Sequence, residues 1–90
     1  MGFGEAWMDR EPLPPLADVP LGRYRHAKSG KPYEVLGVVR HSETLEQLVL
    51  YRALYGERGL WVRPVAMFTE VIEVGGRRVA RFEFVGERGA

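Results

Sequence analysis

Residues 71–84 have the sequence VIEVGGRRVARFEF, which carries the clearest structural signal in the chain. Two apolar segments, Val71–Val74 and Val79–Phe84, lie on either side of the pair Gly75–Gly76. Two consecutive glycines supply the positive φ angles that a tight two-residue hairpin turn needs. The sequence therefore predicts a β-hairpin over these residues.

Short segments of the same type precede this hairpin. Gly30, Gly56 and Gly59 mark turns between runs rich in Val, Tyr, Phe and Trp, and these residue types favour strands. The pattern indicates an all-β domain of five or six short strands. Working outward from the hairpin, we predict four further strands: Leu60–Arg63, Leu48–Tyr55, Tyr33–Arg40 and Arg23–His26.

Residues 42–55 fit two different structures. Leu45, Leu48 and Val49 recur at helical spacing, and Thr44 with Gln47 resembles a capping box. The same residues also fit a short apolar strand, because short apolar runs do not discriminate between helix and strand. Periodicity alone leaves both structures open.

Residues 1–20 differ in composition from the rest of the chain. They contain four of the six prolines and both aspartates. Proline lacks a backbone N–H and favours extended geometry before it, so neither a helix nor a central strand is predicted. The acidic residues of this segment outnumber its single arginine by three, which leaves a balance of +4 on the other 70 residues. We expect a proline-rich acidic tail over residues 1–20, with Trp7, Leu13 and Leu16 available for docking, and a mildly basic domain over residues 21–86.

The composition excludes several classes of protein. Without cysteine, the chain has no disulfide, no thiolate nucleophile and no thiolate-bound zinc or iron–sulfur cluster. No apolar run approaches the roughly 20 residues that cross a bilayer, and no secretory signal pattern opens the sequence. We therefore expect a cytoplasmic protein with no membrane partner. A P-loop and a serine triad are also unsupported, because the glycine pattern is missing and no aspartate follows Asp18.

The segment GRYRHAKSGKPYEV, residues 22–35, contains four cations within nine residues and three aromatic or imidazole rings. Positive charge interleaved with rings suits a surface that neutralises phosphates and stacks on bases. It also suits carboxylate ligands and acidic peptides. The alternative is a polar outer strand whose tyrosines fill the core.

The segment LWVRP, residues 60–64, places Trp61 and Arg63 on one side of a strand. Tryptophan in a small β-domain usually anchors the core, so we expect Trp61 to be buried. The alternative is that Trp61 lines a groove beside other aromatic rings, where it would bind a flat or cationic ligand.

His26, His41 and Glu43 are the candidate metal ligands. In an extended chain, the spacing of His41 and Glu43 sends both side chains to one face. Two histidines in 90 residues need no metal to explain them, so we expect surface or hydrogen-bonded histidines and no cofactor. A small metal-dependent enzyme with His41 and Glu43 as acid and base is the alternative function.

Four motifs, G-x-Y-x-H-x-K, Y-E-V-L-G-V-x-R-H-S-E-T, L-Y and W-V-R-P-x-x-M-F, lie between Gly22 and Phe68, within a longer region from Leu21 to Phe82. In this region the chain resembles the domain-of-unknown-function family 1653. The resemblance implies a small SH3-like β-barrel in bacterial proteins, a strand over Leu48–Tyr55 and a short helical turn over Pro64–Phe68. Among the shared polar positions, His26, Lys28, His41 and Glu43 are expected in two neighbouring loops.

The sequence and the resemblance together predict an all-β, SH3-like barrel with one short helical turn and no enzymatic activity. We expect a binding module for an anionic ligand, with single-stranded nucleic acid or a nucleotide as the first choice. An acidic or proline-containing peptide, or a second copy in a homodimer, is the alternative partner. The predicted ligand-binding residues are Tyr24, His26, Lys28, Tyr33, Arg40, His41, Glu43, Trp61 and Arg63.

Overall fold

The structure is a computed structural model that describes residues 13–87. The predicted places of Trp7 and of the first part of the tail lie outside the described residues. The elements follow in chain order: β1 (Gly22–His26), β2 (Pro32–Arg40), β3 (Gln47–Ala53), β4 (Leu60–Pro64), α1 (Val65–Phe68), β5 (Val71–Val74), β6 (Arg77–Ala80) and β7 (Phe82–Gly86).

Five of the strands form one antiparallel sheet in the order β4-β3-β2-β1-β7, and β5 pairs with β6 in a separate hairpin. The all-β class with one short helix is confirmed. Within residues 13–87 the sheet is open, because β4 and β7 each pair on one side only, so the strands do not close into a barrel.

The hairpin predicted over residues 71–84 is present, and Gly75 and Gly76 have φ angles of 58° and 78°. Its second strand is shorter than predicted. The chain leaves the hairpin at Arg81, whose N–H donates to the Glu70 carbonyl while its own carbonyl accepts from the N–H of Ala27. The residues beyond it pair with β1 instead, which divides the predicted strand into β6 and β7.

The segment that fitted both helix and strand is the strand β3. It pairs with β2 on one side and with β4 on the other, so its backbone groups are satisfied within the sheet. The predicted helical turn is α1, which begins after Pro64 and places Phe68 against the sheet.

The core lies on one side of the sheet, here called the inner face. Phe68 from α1 stacks on Phe82 with ring centroids 4.3 Å apart, and Tyr24 and Tyr51 also contact Phe68. Val49 at the centre of β3 is fully buried. The helix α1 thus covers the middle of the inner face because it carries one large aromatic ring onto the sheet.

Residues 13–20 run along the inner face without forming a strand. Val19 is buried in the core, and the N–H of Ala17 donates to the Gln47 Oε1 atom over 2.7 Å. Leu13 and Leu16, expected to be available for docking, are both exposed. In residues 13–87, no helix has the length and apolar character that a membrane crossing requires.

Candidate ligand site on the inner face

Rings and cations converge at the end of the inner face where β1 turns into β2. We call this region the inner-face patch, and its members are His26, Lys28, Lys31, Tyr33, Tyr55, Trp61 and Arg63. Their positions follow from the sheet register, because Tyr51 lies directly opposite Trp61 and contacts Tyr33 diagonally across β2 and β3, so all three share one face.

Two tyrosines form the exposed centre of the patch. The hydroxyl oxygens of Tyr33 and Tyr55 lie 2.6 Å apart in a hydrogen bond, and the Lys31 Nζ atom lies 4.7 Å from the centroid of the Tyr55 ring. Burial, and then the hydrogen bond to Tyr55, raise the pKa of Tyr33 to about 12. The Tyr33 hydroxyl therefore stays protonated at neutral pH and remains a hydrogen-bond donor.

Three cations surround His26. Its ring meets Phe82 edge-on with centroids 5.0 Å apart, and the Arg63 guanidinium lies 5.5 Å from the centroid of the same Phe82 ring. Burial, followed by the charges of Arg81, Arg63 and Lys28, lowers the pKa of His26. The imidazole is therefore neutral at pH 7.

The orientation of the His26 ring is set by its own turn. The Nδ1 atom accepts hydrogen bonds from the N–H groups of Lys28 and Ser29 at 3.2 and 3.3 Å. A neutral imidazole that accepts at Nδ1 carries its proton on Nε2, so Nε2 is the available donor. The patch thus combines a neutral N–H donor, phenolic donors and fixed positive charge.

Trp61 is 60% exposed, so the expected core position was wrong. Phe68 already occupies the space above Tyr51, and β4 is the edge strand with no neighbour beyond it. The indole lies beside Gly59 instead, where an added Cβ would come within 3.3 Å of the Trp61 Nε1 atom. The alternative interpretation from the sequence, an exposed ring beside other aromatic residues, is the arrangement found.

His41 and Glu43 lie at the other end of the molecule. They belong to the loop after β2, whereas His26 and Lys28 belong to the loop before it. A nine-residue strand separates the two loops by about 26 Å. The expectation that these loops are neighbours was wrong, because successive hairpin loops in an antiparallel sheet fall at opposite ends.

The side chains at this far end have structural partners. The His41 Nδ1 atom accepts from the N–H of Glu43 over 3.1 Å, so residues 41–43 form a turn and are not extended. Arg40 donates to the Pro14 carbonyl and holds the N-terminal segment. Within residues 13–87, no group of three histidine or carboxylate side chains is placed to hold a metal ion.

Tyr24 is buried, with its hydroxyl donating to the Pro20 carbonyl over 2.7 Å. This burial raises its pKa and leaves the ring out of the surface patch. Conversely, Lys31, Tyr55 and Arg81 were not predicted as site residues. Tyr55 could have been predicted from the pairing of Tyr33 with Ala53, because this register brings Tyr55 close to Tyr33. No sequence feature near Arg81 predicts that it lies beside the patch.

Residues 22–84 match the protein family described as Protein of unknown function (DUF1653). The chain belongs to the DUF1653 family. A solved crystal structure of a DUF1653 protein from Bordetella bronchiseptica is similar in fold, with a TM-score of 0.72 and 35% sequence identity. The likeness covers 81% of this chain and 95% of that one. No curated protein matches the chain. The family carries no assigned activity, so the function must be argued from the patch itself.

Proposed function

We propose that this DUF1653 chain is a non-enzymatic binding module, and that its inner-face patch binds single-stranded nucleic acid. One observation carries the proposal: the Arg63, Arg81 and Lys28 charges converge on the neutral His26 ring beside the exposed Tyr33–Tyr55 pair. Cations beside accessible rings are the combination that single-stranded nucleic acids require.

The cations supply the phosphate contacts. Arg81 already pairs with Glu70. Arg63 donates to the Tyr51 hydroxyl through Nε over 3.5 Å, and within residues 13–87 its terminal nitrogens make no hydrogen bond. Lys28 is exposed at the tip of its loop. Arg63 and Lys28, together with the His26 Nε2 proton, are the donors that a phosphate group would use.

The rings supply the stacking surface. Trp61 is 60% exposed and Tyr55 is 38% exposed, and both lie on the side of the sheet that carries the cations. Stacking on an aromatic ring tolerates any base, since every base has a flat face. We therefore expect binding with little sequence preference and contact with two or three phosphates.

Fluorescence anisotropy of a labelled ten-nucleotide DNA strand tests the proposal with the full chain. Lys28→Ala and Arg63→Gln should each weaken binding about fivefold to tenfold, because each loses one charged contact. Arg78→Ala is the matched control, since it removes the same charge from an exposed position on the β5–β6 hairpin. Equal losses in all three variants would mean diffuse attraction and would contradict a defined site.

Trp61→Ala separates stacking from charge. It should weaken binding about fivefold or more, whereas Leu60→Ala should leave it within about twofold, because Leu60 is exposed to the same degree on the opposite face. An acidic peptide would bind through the cations alone and would be insensitive to Trp61→Ala. Saturable binding of the peptide but not of DNA would transfer the proposal to that alternative partner.

A further inference from the structure

The outer face of the five-stranded sheet, opposite the core, has an apolar half and a polar half. Over β2, β3 and β4 the register places Val39, Leu48, Leu50, Leu60 and Val62 on this face, and it places Glu34 and Arg52 beside Leu60 at the end nearest the β1–β2 turn. Leu60 and Val62 are 55% and 53% exposed. Over β1 and β7 the same face carries Arg25 and Glu83, which form an ion pair.

Among residues 13–87, no segment covers this apolar surface. The helix α1 and the N-terminal segment both pack on the inner face, so neither shields Leu60 or Val62. The three strands of the apolar half are about 4.8 Å apart and about 23 Å long, which gives it a flat area of roughly 300 Å² before side-chain relief is counted. A stable protein interface buries roughly 800 Å² per partner, so the loops at the two ends of the face must supply the rest of the contact.

The two loops at the ends of β2 carry opposite charges. We call residues 27–31 the Lys loop, because it exposes Lys28 and Lys31, and residues 42–46 the Glu loop, because it exposes Glu43 and Glu46. The two loops stand at opposite ends of the central strand of the sheet. The molecule is therefore positive at one end of this face and negative at the other.

We propose that two copies of the chain stack outer face to outer face, about a two-fold axis that lies between the sheets and runs across the strands. This axis turns β4 onto the partner's β4, so the apolar halves meet. It also reverses the strand direction, so each Lys loop meets the partner's Glu loop.

The other two-fold arrangement between the sheets has its axis along the strands, and it is disfavoured for two reasons. An axis along the strands would place β4 over the partner's β7, which sets the apolar half against charged residues. It would also place Lys loop over Lys loop and Glu loop over Glu loop, and like charges in contact repel. Apolar matching and charge matching thus select the same orientation, in which the rings and Arg63 of both inner-face patches point away from the interface.

Sedimentation equilibrium of the full chain tests the apolar contact. The unaltered chain should form dimers when its concentration is raised to about 200 μM. Val62→Lys should give monomers, because it places a charge inside the apolar half. Val71→Lys is the matched control, since Val71 is 50% exposed on the separate hairpin, and it should leave the dimer intact. A monomeric unaltered chain, or a Val62→Lys chain that still dimerises, overturns the proposal.

Charge exchange tests the orientation. Lys28→Glu alone and Glu43→Lys alone should each weaken the dimer about tenfold, because at both ends the charges at positions 28 and 43 then have the same sign. An equimolar mixture of the two variants should restore the dimer, since one end of the mixed dimer keeps the original contact and the other end pairs the exchanged charges. Two variants that stay as weak when mixed as when separate would overturn the proposed axis. Circular dichroism of each variant establishes that these exposed substitutions leave the fold intact.

Discussion

The Lys loop and the Glu loop share one backbone construction and differ in charge. In the first, the His26 N–H donates to the Lys31 carbonyl, and the His26 carbonyl accepts from the N–H of Gly30. In the second, His41 makes the same two bonds with Glu46 and Leu45. Both histidines also accept two further N–H groups at Nδ1.

The correspondence continues through the rest of each turn. Ser29 Oγ accepts from the N–H of Lys31 over 3.2 Å, and Thr44 Oγ1 accepts from the N–H of Glu46 over 3.1 Å. When the histidine before each loop is counted as the first residue, the fifth residue has a positive φ in both cases, 72° at Gly30 and 63° at Leu45. The histidine, the hydroxyl and the residue with positive φ thus fix the backbone. The third and sixth residues, counted from the histidine, are the ones that carry charge.

The largest expected effects on stability come from replacing the histidine that precedes each loop. His26→Ala should lower the free energy of unfolding by about 1–2 kcal/mol, and His41→Ala by about 0.5–1 kcal/mol. Both variants lose the acceptor of two N–H groups, but only His26 also packs against Phe82. Urea unfolding measures the two values, with the exposed Ser42→Ala as a control near zero. Equal costs would show that the ring contact contributes nothing.

The fifth position of each loop should respond with opposite sign. Gly30→Ala should cost about 1 kcal/mol, because a side chain is strained at this φ although an added Cβ meets nothing within 4 Å. Leu45→Asn should stabilise by about 0.5 kcal/mol, since asparagine tolerates the left-handed region better than leucine. Thermal unfolding measures both, and Gly37→Ala is the control because its site is equally open without a positive φ. Destabilisation by Leu45→Asn would mean that the leucine side chain matters more than its backbone strain.

The hydroxyl position should give matched effects. Ser29→Ala and Thr44→Ala should each cost about 0.5 kcal/mol, because each removes one exposed hydrogen bond to a backbone N–H. Denaturant midpoints of the two variants make the comparison. Values that differ by more than about 1 kcal/mol would show that the two turns are not equivalent in energy.

The smallest expected effect is a pH dependence that arises from His26. Burial and the Arg81, Arg63 and Lys28 charges lower the pKa of folded His26, so the unfolded chain takes up a proton first as pH falls below about 6.5. Stability should therefore be flat above about pH 6.5 and should fall below it, down to the pKa of the folded state. Urea unfolding between about pH 5 and 7.5 should show this loss in His41→Gln and show less of it in His26→Gln. The same slope in both variants would place the linkage elsewhere.

Much of the fold could be predicted from local sequence. The Gly75–Gly76 turn, the strand starts after glycine and proline, and the helical turn after Pro64 all depend on neighbouring residues. The strand β3 could not be assigned from its own periodicity, because its partners on both sides decide its structure. Only the family resemblance indicated it.

The candidate site was predicted in part. His26, Lys28, Tyr33, Trp61 and Arg63 come together on the inner face, as their residue types suggested. His41 and Glu43 shared the polar character of the site but are turn residues at the far end. Residue type alone does not distinguish a side chain that hydrogen-bonds to the backbone of its own loop from one that faces a ligand.

The sequence by itself determined the all-β class and the turns, because these depend on the conformational preferences of adjacent residues. It also shows directly the concentration of cations and rings before and after Pro32. Tertiary structure alone decided which tyrosine is buried, why Trp61 is exposed and which cations surround His26. Those outcomes depend on contacts between strands far apart in the chain. A ring is buried or exposed depending on which residues from the rest of the fold pack on it, as Phe68 packs on Tyr51.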